Sequence, residues 1–168
     1  MIRIMVQFDE SEATLLRHMA RGRQVSKDAV GIRDGSMLPN GYEAHLLGLA
    51  GEVAVCQLTG ARMDAAERLG GDDGEPDLLL PDGRTIEVKT RRSPGYAFVL
   101  PAGQTALRAD IGVLAWLHTP VTPGFPLAIE IAGWCTAADF AEYAEDMDFG
   151  HGARRGIKPR FLRRMWRP

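Results

Sequence analysis

The residues of this chain best suited to chemistry lie in GEPDLLLPDGRTIEVKTRR, residues 74–92. Asp77 precedes a short apolar run, PDG follows as a turn, and Glu87 and Lys89 stand two apart in the next run. Turn residues between two apolar runs predict a hairpin, with strands over 77–80 and 84–90. Side chains alternate along a strand, so Glu87 and Lys89 share one side and Val88 takes the other. With Asp77 at the start of the partner strand, its carboxylate meets Glu87 across the hairpin. Two carboxylates and the Val88 carbonyl form an all-oxygen donor set suited to Mg²⁺, with Mn²⁺ as the alternative. Such an ion lowers the pKa of a bound water and offsets charge on a phosphoryl group in transfer. Lys89 beside it is suited to orient or deprotonate the attacking water, or to act as a point charge on the phosphorane.

Taken singly, each of these residues also has an ordinary reading, since Glu-x-Lys on the wet face of a strand is common. The combination is less ordinary. Ile86, Val88 and the run Leu78–Leu80 read as buried, which makes these central strands, and charges on a central strand need a cleft or a partner.

The surrounding elements must hold that hairpin. Residues 2–8 predict a strand, and Asp9 or Ser11 caps a helix to about residue 20. Residues 21–42 show no sustained period and read as loop, with basic residues from Arg17 to Lys27 and at Arg33 available to a polyanion. A helix follows over about 43–58, its core face carried by Leu46, Leu49, Val53 and Cys56. Gly48 and Gly51 each lower helix propensity by roughly 1 kcal/mol relative to alanine, which points to close packing, a ligand or simply an imperfect helix. Glu52 lies beside the buried stripe. Residues 60–74 read as a polar loop. Residues 96–100 predict a strand, Pro101 opens a short helix to about 110, and 111–117 predict a central strand. A further strand covers 127–134, and Thr136 caps a helix to about 143. The whole is a mixed α/β arrangement, one domain over residues 1–168.

The order of a helical glutamate, a literal Pro76-Asp77 and Glu87-Val88-Lys89 resembles the PD-(D/E)XK nuclease superfamily. The glutamate is Glu52 in GLAGEVAV, with Glu43 a poorer match. The likeness covers about residues 41–135 and is greatest to small stand-alone members from bacteria and their phages. It implies a restriction endonuclease-like core, a mixed central sheet flanked by helices, and Mg²⁺-dependent hydrolysis of DNA. It further implies Asp77 and Glu87 as metal ligands with the Val88 carbonyl, Lys89 as the catalytic lysine, and Glu52 as an accessory ligand or water anchor. Arg91 and Arg92 extend the motif strand towards phosphates or simply form an exposed strand end. Gln104 is a substrate contact as in some relatives or an ordinary exposed glutamine, and a second subunit for the other strand leaves a homodimer open. The alternative is a nuclease-fold module that binds nucleic acid or protein without cutting.

Composition sets the remaining bounds. The net charge of -2 excludes a nonspecific polycation, so any nucleic-acid surface must be local. The segment 151–168 holds seven Arg or Lys and no acid, and Arg154, Arg155 and Lys158 are candidate phosphate contacts. Its other reading is a terminus stapled down by Phe161, Leu162 and Trp166. Cys56 and Cys135 lack metal-ligand spacing and read as buried thiols. No run is long and apolar enough for a membrane span, which together with the start of the chain points to the cytoplasm. No H-E-x-x-H, G-x-S-x-G or G-x-x-x-x-G-K-[ST] pattern is present, which argues against zinc, serine-nucleophile and nucleotide-hydrolysis chemistry.

Overall fold

The apolar run Ile111–Leu117 forms β6, and the main sheet is built around it. The computed structural model describes residues 4–29, 41–63, 76–122, 125–150 and 152–164. Its first elements are strand β1 (Ile4–Phe8), helix α1 (Glu10–Ala29) and helix α2 (Gly41–Thr59). Strands β2 (Arg62–Met63), β3 (Leu78–Leu79), β4 (Thr85–Arg91) and β5 (Phe98–Val99) follow, then β6. Strand β7 (Leu127–Thr136), helix α3 (Ala137–Tyr143), and strands β8 (Glu145–Asp148) and β9 (Ala153–Ile157) complete the order, with a 3-10 turn at Pro159–Phe161.

Six strands form one mixed sheet in the order β1-β7-β6-β4-β3-β2. Among the described residues only β4 and β6 run parallel, with Ile86 opposite Ile111 and Lys89 opposite Leu114. The α/β architecture expected from the sequence is present in this general form. Alternation divides β6 between two cores. Ile111, Val113, Ala115 and Leu117 join α1 and α2 on one face. Leu114 and Trp116 join Phe98, Phe140 and Ile157 on the other. That second face is covered by α3 and by a small sheet of order β5-β9-β8.

Several boundaries differ from the sequence expectation. Helix α1 continues through residues 21–29, where Gly22 and the absence of an apolar period suggested loop; residues 30–40 lie outside the described set. Its start is a reciprocal cap: Glu12 N–H donates to Asp9 Oδ1 and Asp9 N–H to Glu12 Oε2, both at 2.9 Å. The helix expected after Pro101 does not form; residues 101–110 run through turns. Gly103 takes a φ of +81°, a left-handed conformation that ends any helix begun at Pro101. The strand expected over 96–100 shrinks to Phe98–Val99 and belongs to the small sheet. The end of the chain is more regular than a stapled tail: β9 pairs with both β5 and β8, and Leu162 is buried. Trp166 and most of the 60–74 loop fall outside the described residues.

The buried face of α2 is also rotated from the expected stripe. Leu46 and Leu49 belong to it, together with Leu47, Ala50, Gly51, Ala54 and Val55, while Val53 and Cys56 lie at its margin. Small side chains bring α2 close to β4. A Cβ on Gly51 would sit 1.8 Å from Thr90 Oγ1, so only glycine lets the helix axis approach the strand this closely. Cys135 is fully buried, which pushes its thiol up to about 12, whereas Cys56 is half-buried.

Candidate active site

Leu78 pairs with Ile86 and Leu79 with Thr85, so continuing the antiparallel register sets Asp77 opposite Glu87. No ladder pair is formed there, because β3 begins only at Leu78. The Asp77 carboxylate takes the place of the missing strand: its Oδ2 accepts the Val88 amide hydrogen at 2.7 Å. On a strand the N–H and C=O of one residue point to the same neighbour. The Val88 carbonyl therefore faces the side of β4 where Asp77 lies, beyond the end of the β3 ladder.

Glu87, Lys89 and Arg91 share the face of Gly112, Leu114 and Trp116 by register, and Val88 and Thr90 take the helix face. Lys89 Nζ forms an ion pair with Glu87, and both side chains are largely covered, at 22% and 15% exposure. Glu52 approaches from α2, on the other side of the sheet. Its carboxylate pairs with Arg23 of α1 at 3.4 Å and is only 12% exposed.

The electrostatics link these groups. Burial pushes the Asp77 carboxyl up to about 7, with the charges of Glu87 and Glu52 adding to it and Lys89 opposing. Burial also raises Glu52, against the pull of Arg23 and Lys89. Three acids thus share one field at the end of the hairpin, with one lysine among them. An acid held above its usual range by burial beside other carboxylates favours a proton or a cation. Asp77, Glu87 and the Val88 carbonyl are hard oxygen donors and fit Mg²⁺ in kind. A seat made of three side chains is another matter. Among the described residues, no group of three or more His, Cys, Asp or Glu is arranged to hold a metal ion.

No protein-family model matches this chain, and no curated protein is significantly similar to it in sequence.

The other candidate residues separate from this group. Arg92 pairs with Glu43, the second-choice helical acid. Arg91 turns to the small sheet, where Nη2 donates to the Val99 carbonyl at 3.2 Å and Nε to the Ala97 carbonyl at 3.4 Å. Burial lowers its pKa, with Arg154 nearby contributing. Gln104 lies in the turn after Pro101 and spends its amide on the Ala106 carbonyl at 3.0 Å. Arg155 lies 3.6 Å from Asp146, and Lys158 pairs with Glu145. The basic segment is thus partly balanced by acids from the neighbouring strand β8, which its own composition does not reveal.

The basic residues before residue 30 are likewise engaged. Arg17 is buried and donates to the carbonyls of Thr122 at 3.0 Å and Phe125 at 2.6 Å, and Arg21 lies over the Tyr42 ring. The side chain of Lys27 and all of Arg33 lie outside the described residues. Arg23 is the site residue that the sequence reading missed. Its signal is the recurrence Ala13, Leu16, Ala20, Arg23, which carries one helical face past Gly22.

Proposed function

We propose that this protein is a metal-dependent nuclease of the PD-(D/E)XK type that hydrolyses phosphodiester bonds of DNA. The observation that carries the reading is Asp77: a carboxyl fixed on the Val88 amide and pushed up to about 7 by burial, with Glu87 and Glu52 adding to the shift and Lys89 in the same field. A solvated charged hairpin would leave such an acid in its ordinary range. The succession of α2, a three-strand meander and a fourth strand parallel to β4 also supports a restriction endonuclease-like core. The turns at 101–110 depart from it, and they remove the helix on which Gln104 was expected.

On this reading Asp77, Glu87 and the Val88 carbonyl would hold Mg²⁺ or Mn²⁺, which supplies charge neutralisation and a more acidic water. Lys89 holds a positive charge beside Glu87 and is suited to transfer that pairing to the phosphate oxygens or the incoming water. Glu52, braced by Arg23, supplies a further acceptor to orient water. The water oxygen bonds to phosphorus as one ester P–O bond breaks, giving a phosphate monoester and a hydroxyl.

One observation favours the second reading, a nuclease-fold module that binds without cutting: the lack of a three-ligand cluster among the described residues. A single assay separates the two. Full-length protein is incubated with linear, nicked, single-stranded and branched DNA in Mg²⁺, Mn²⁺ or chelator, beside Asp77→Ala and Lys89→Ala. Metal-dependent cleavage lost in both variants supports hydrolysis; binding without cleavage on every substrate removes it.

A further inference from the structure

Away from the carboxylates, the small sheet borders a shallow cleft of about 390 Å³ lined by Tyr96, Ala97, Met147, Phe149, Lys158 and Arg160. Its chemistry is unlike that of an ordinary surface. Tyr96 is 57% exposed and Phe149 44% exposed, although each is large enough to be worth burying. Arg160 stands over the Phe161 ring at 4.8 Å, and Phe161 in turn stacks on Tyr143 with ring centroids 5.3 Å apart. Two exposed aromatic side chains, Tyr96 and Phe149, thus line the cleft together with the cationic Lys158 and Arg160. Aromatic platforms interleaved with Lys and Arg match the bases and phosphates of a single-stranded nucleic acid.

The cleft is also tied to the proposed active site. Its Tyr96–Ala97 wall hangs from β4 through Arg91, whose guanidinium donates to the Ala97 carbonyl, and from β6 through Trp116 Nε1, which donates to the Tyr96 carbonyl at 3.1 Å. Arg91 follows Lys89 by two residues on the same face of the same strand, about 7 Å along it. The cleft wall is thus fixed to the strand and the face that carry Lys89 and Glu87.

We infer that this cleft is a stacking subsite for unpaired nucleotides, and that the preferred substrate is DNA with a single-stranded segment next to the bond that is cut. Tyr96 and Phe149 supply the stacking faces, and Arg160 and Lys158 the phosphate contacts, Lys158 exchanging its pairing with Glu145 for a phosphate. The substrate assignment rests on the nuclease reading, but occupancy of the cleft does not.

The two can be tested apart. Full-length protein is titrated, in chelator so that no DNA is cut, against a fluorescently labelled oligothymidylate and a blunt duplex of equal length. Tyr96→Ala and Phe149→Ala are each expected to weaken oligothymidylate binding roughly tenfold, while Tyr96→Trp retains it. Both side chains are exposed, so the variants should melt at the wild-type temperature, and that is checked alongside. Duplex binding should change less than threefold. Equal oligothymidylate affinity in wild type and both alanine variants overturns the subsite. So does an aromatic-dependent change in sedimentation with no effect on DNA, which would make this face a contact between two copies of the chain. Metal-dependent cleavage measured separately then judges the nuclease reading: its absence with an aromatic-dependent affinity removes hydrolysis and leaves the subsite standing.

Discussion

Two places in this protein set carboxylates in opposite electrostatic surroundings. At the start of α3, Asp139 accepts the Thr136 amide at 2.9 Å and the Arg163 guanidinium at 2.8 Å, and its pKa is held below the ordinary value, chiefly by the Arg163 bond. Asp9 at the start of α1 is lowered too, first by the backbone hydrogen bond at Glu12. At the end of the β3–β4 hairpin, Asp77 and Glu52 are both raised. The caps give each acid donors near solvent, whereas the hairpin buries acids against one another. The first arrangement stabilises the fold. The second costs stability and is more readily understood as a binding site, since a cation or a rearranged lysine relieves it.

The largest test of this contrast is functional. Glu87→Ala and Lys89→Ala are each expected to lower metal-dependent cleavage by at least about 100-fold, on the scale of removing one group that stabilises transition-state charge. Thr136→Ala, which damages only a cap, should cleave at the wild-type rate at a temperature where it stays folded. A loss shared equally by all three variants would erase the distinction.

A second test concerns stability, and here the site acid should have the unusual sign. Because the folded state binds the Asp77 proton more tightly than the unfolded chain, the contribution of Asp77 to wild-type stability falls as pH rises from about 4 to about 7. Asp77→Asn keeps an oxygen for the Val88 amide and removes the charge. In chelator at pH 8 it is expected to gain a few kcal/mol at most, a rise in Tm of the order of 5–10 °C. The gain should shrink towards pH 4, where the wild-type carboxyl is already protonated. A lower Tm for Asp77→Asn at pH 8 would show that the carboxylates are not in conflict.

The seam between α2 and β4 gives a third, smaller effect. Gly51→Ala puts a Cβ onto Thr90 Oγ1, an overpacking expected to cost about 1–3 kcal/mol in urea denaturation. Thr90→Ala should be nearly neutral, because that hydroxyl is buried without a hydrogen-bond partner. The double variant should recover part of the loss, though not all of it, since Thr90 Cβ lies only 3.1 Å from the added carbon. Strict additivity of the two substitutions would mean that they do not meet.

The β3–β4 hairpin was legible in the sequence because three signals agreed: turn residues, strand alternation and apolar runs on both strands. Glu87, Val88 and Asp77 take the relative positions that alternation assigns them. The capped α3 was legible for a similar reason, as Thr136 and Asp139 have the spacing of a reciprocal cap. What failed was information carried by tertiary partners. Gly22 hid the second half of α1, although Arg23 there has a buried acid to meet. The acids that balance Arg155 and Lys158 lie on β8, a different stretch of sequence brought alongside by pairing. Pro101 looks like a helix start in sequence, but Gly103 turns the chain instead.

The smallest effect belongs to the cap at α3, and its pH window lies apart from that of Asp77. Asp139→Ala removes half of the reciprocal cap and the Arg163 pairing, which at an exposed helix end is worth about 1 kcal/mol. The folded-state pKa of Asp139 is depressed, so its contribution is fully present above about pH 4 and fades as pH falls through the folded value. Urea denaturation should therefore find Asp139→Ala less stable than wild type at pH 7, with the two converging as pH falls below about 4. Over pH 4 to 7 that difference should stay constant, while the gain from Asp77→Asn grows across the same interval. If both differences changed together between pH 4 and 7, the two kinds of carboxylate would not be electrostatically distinct, and the case for a charged seat beside β4 would lose its physical basis.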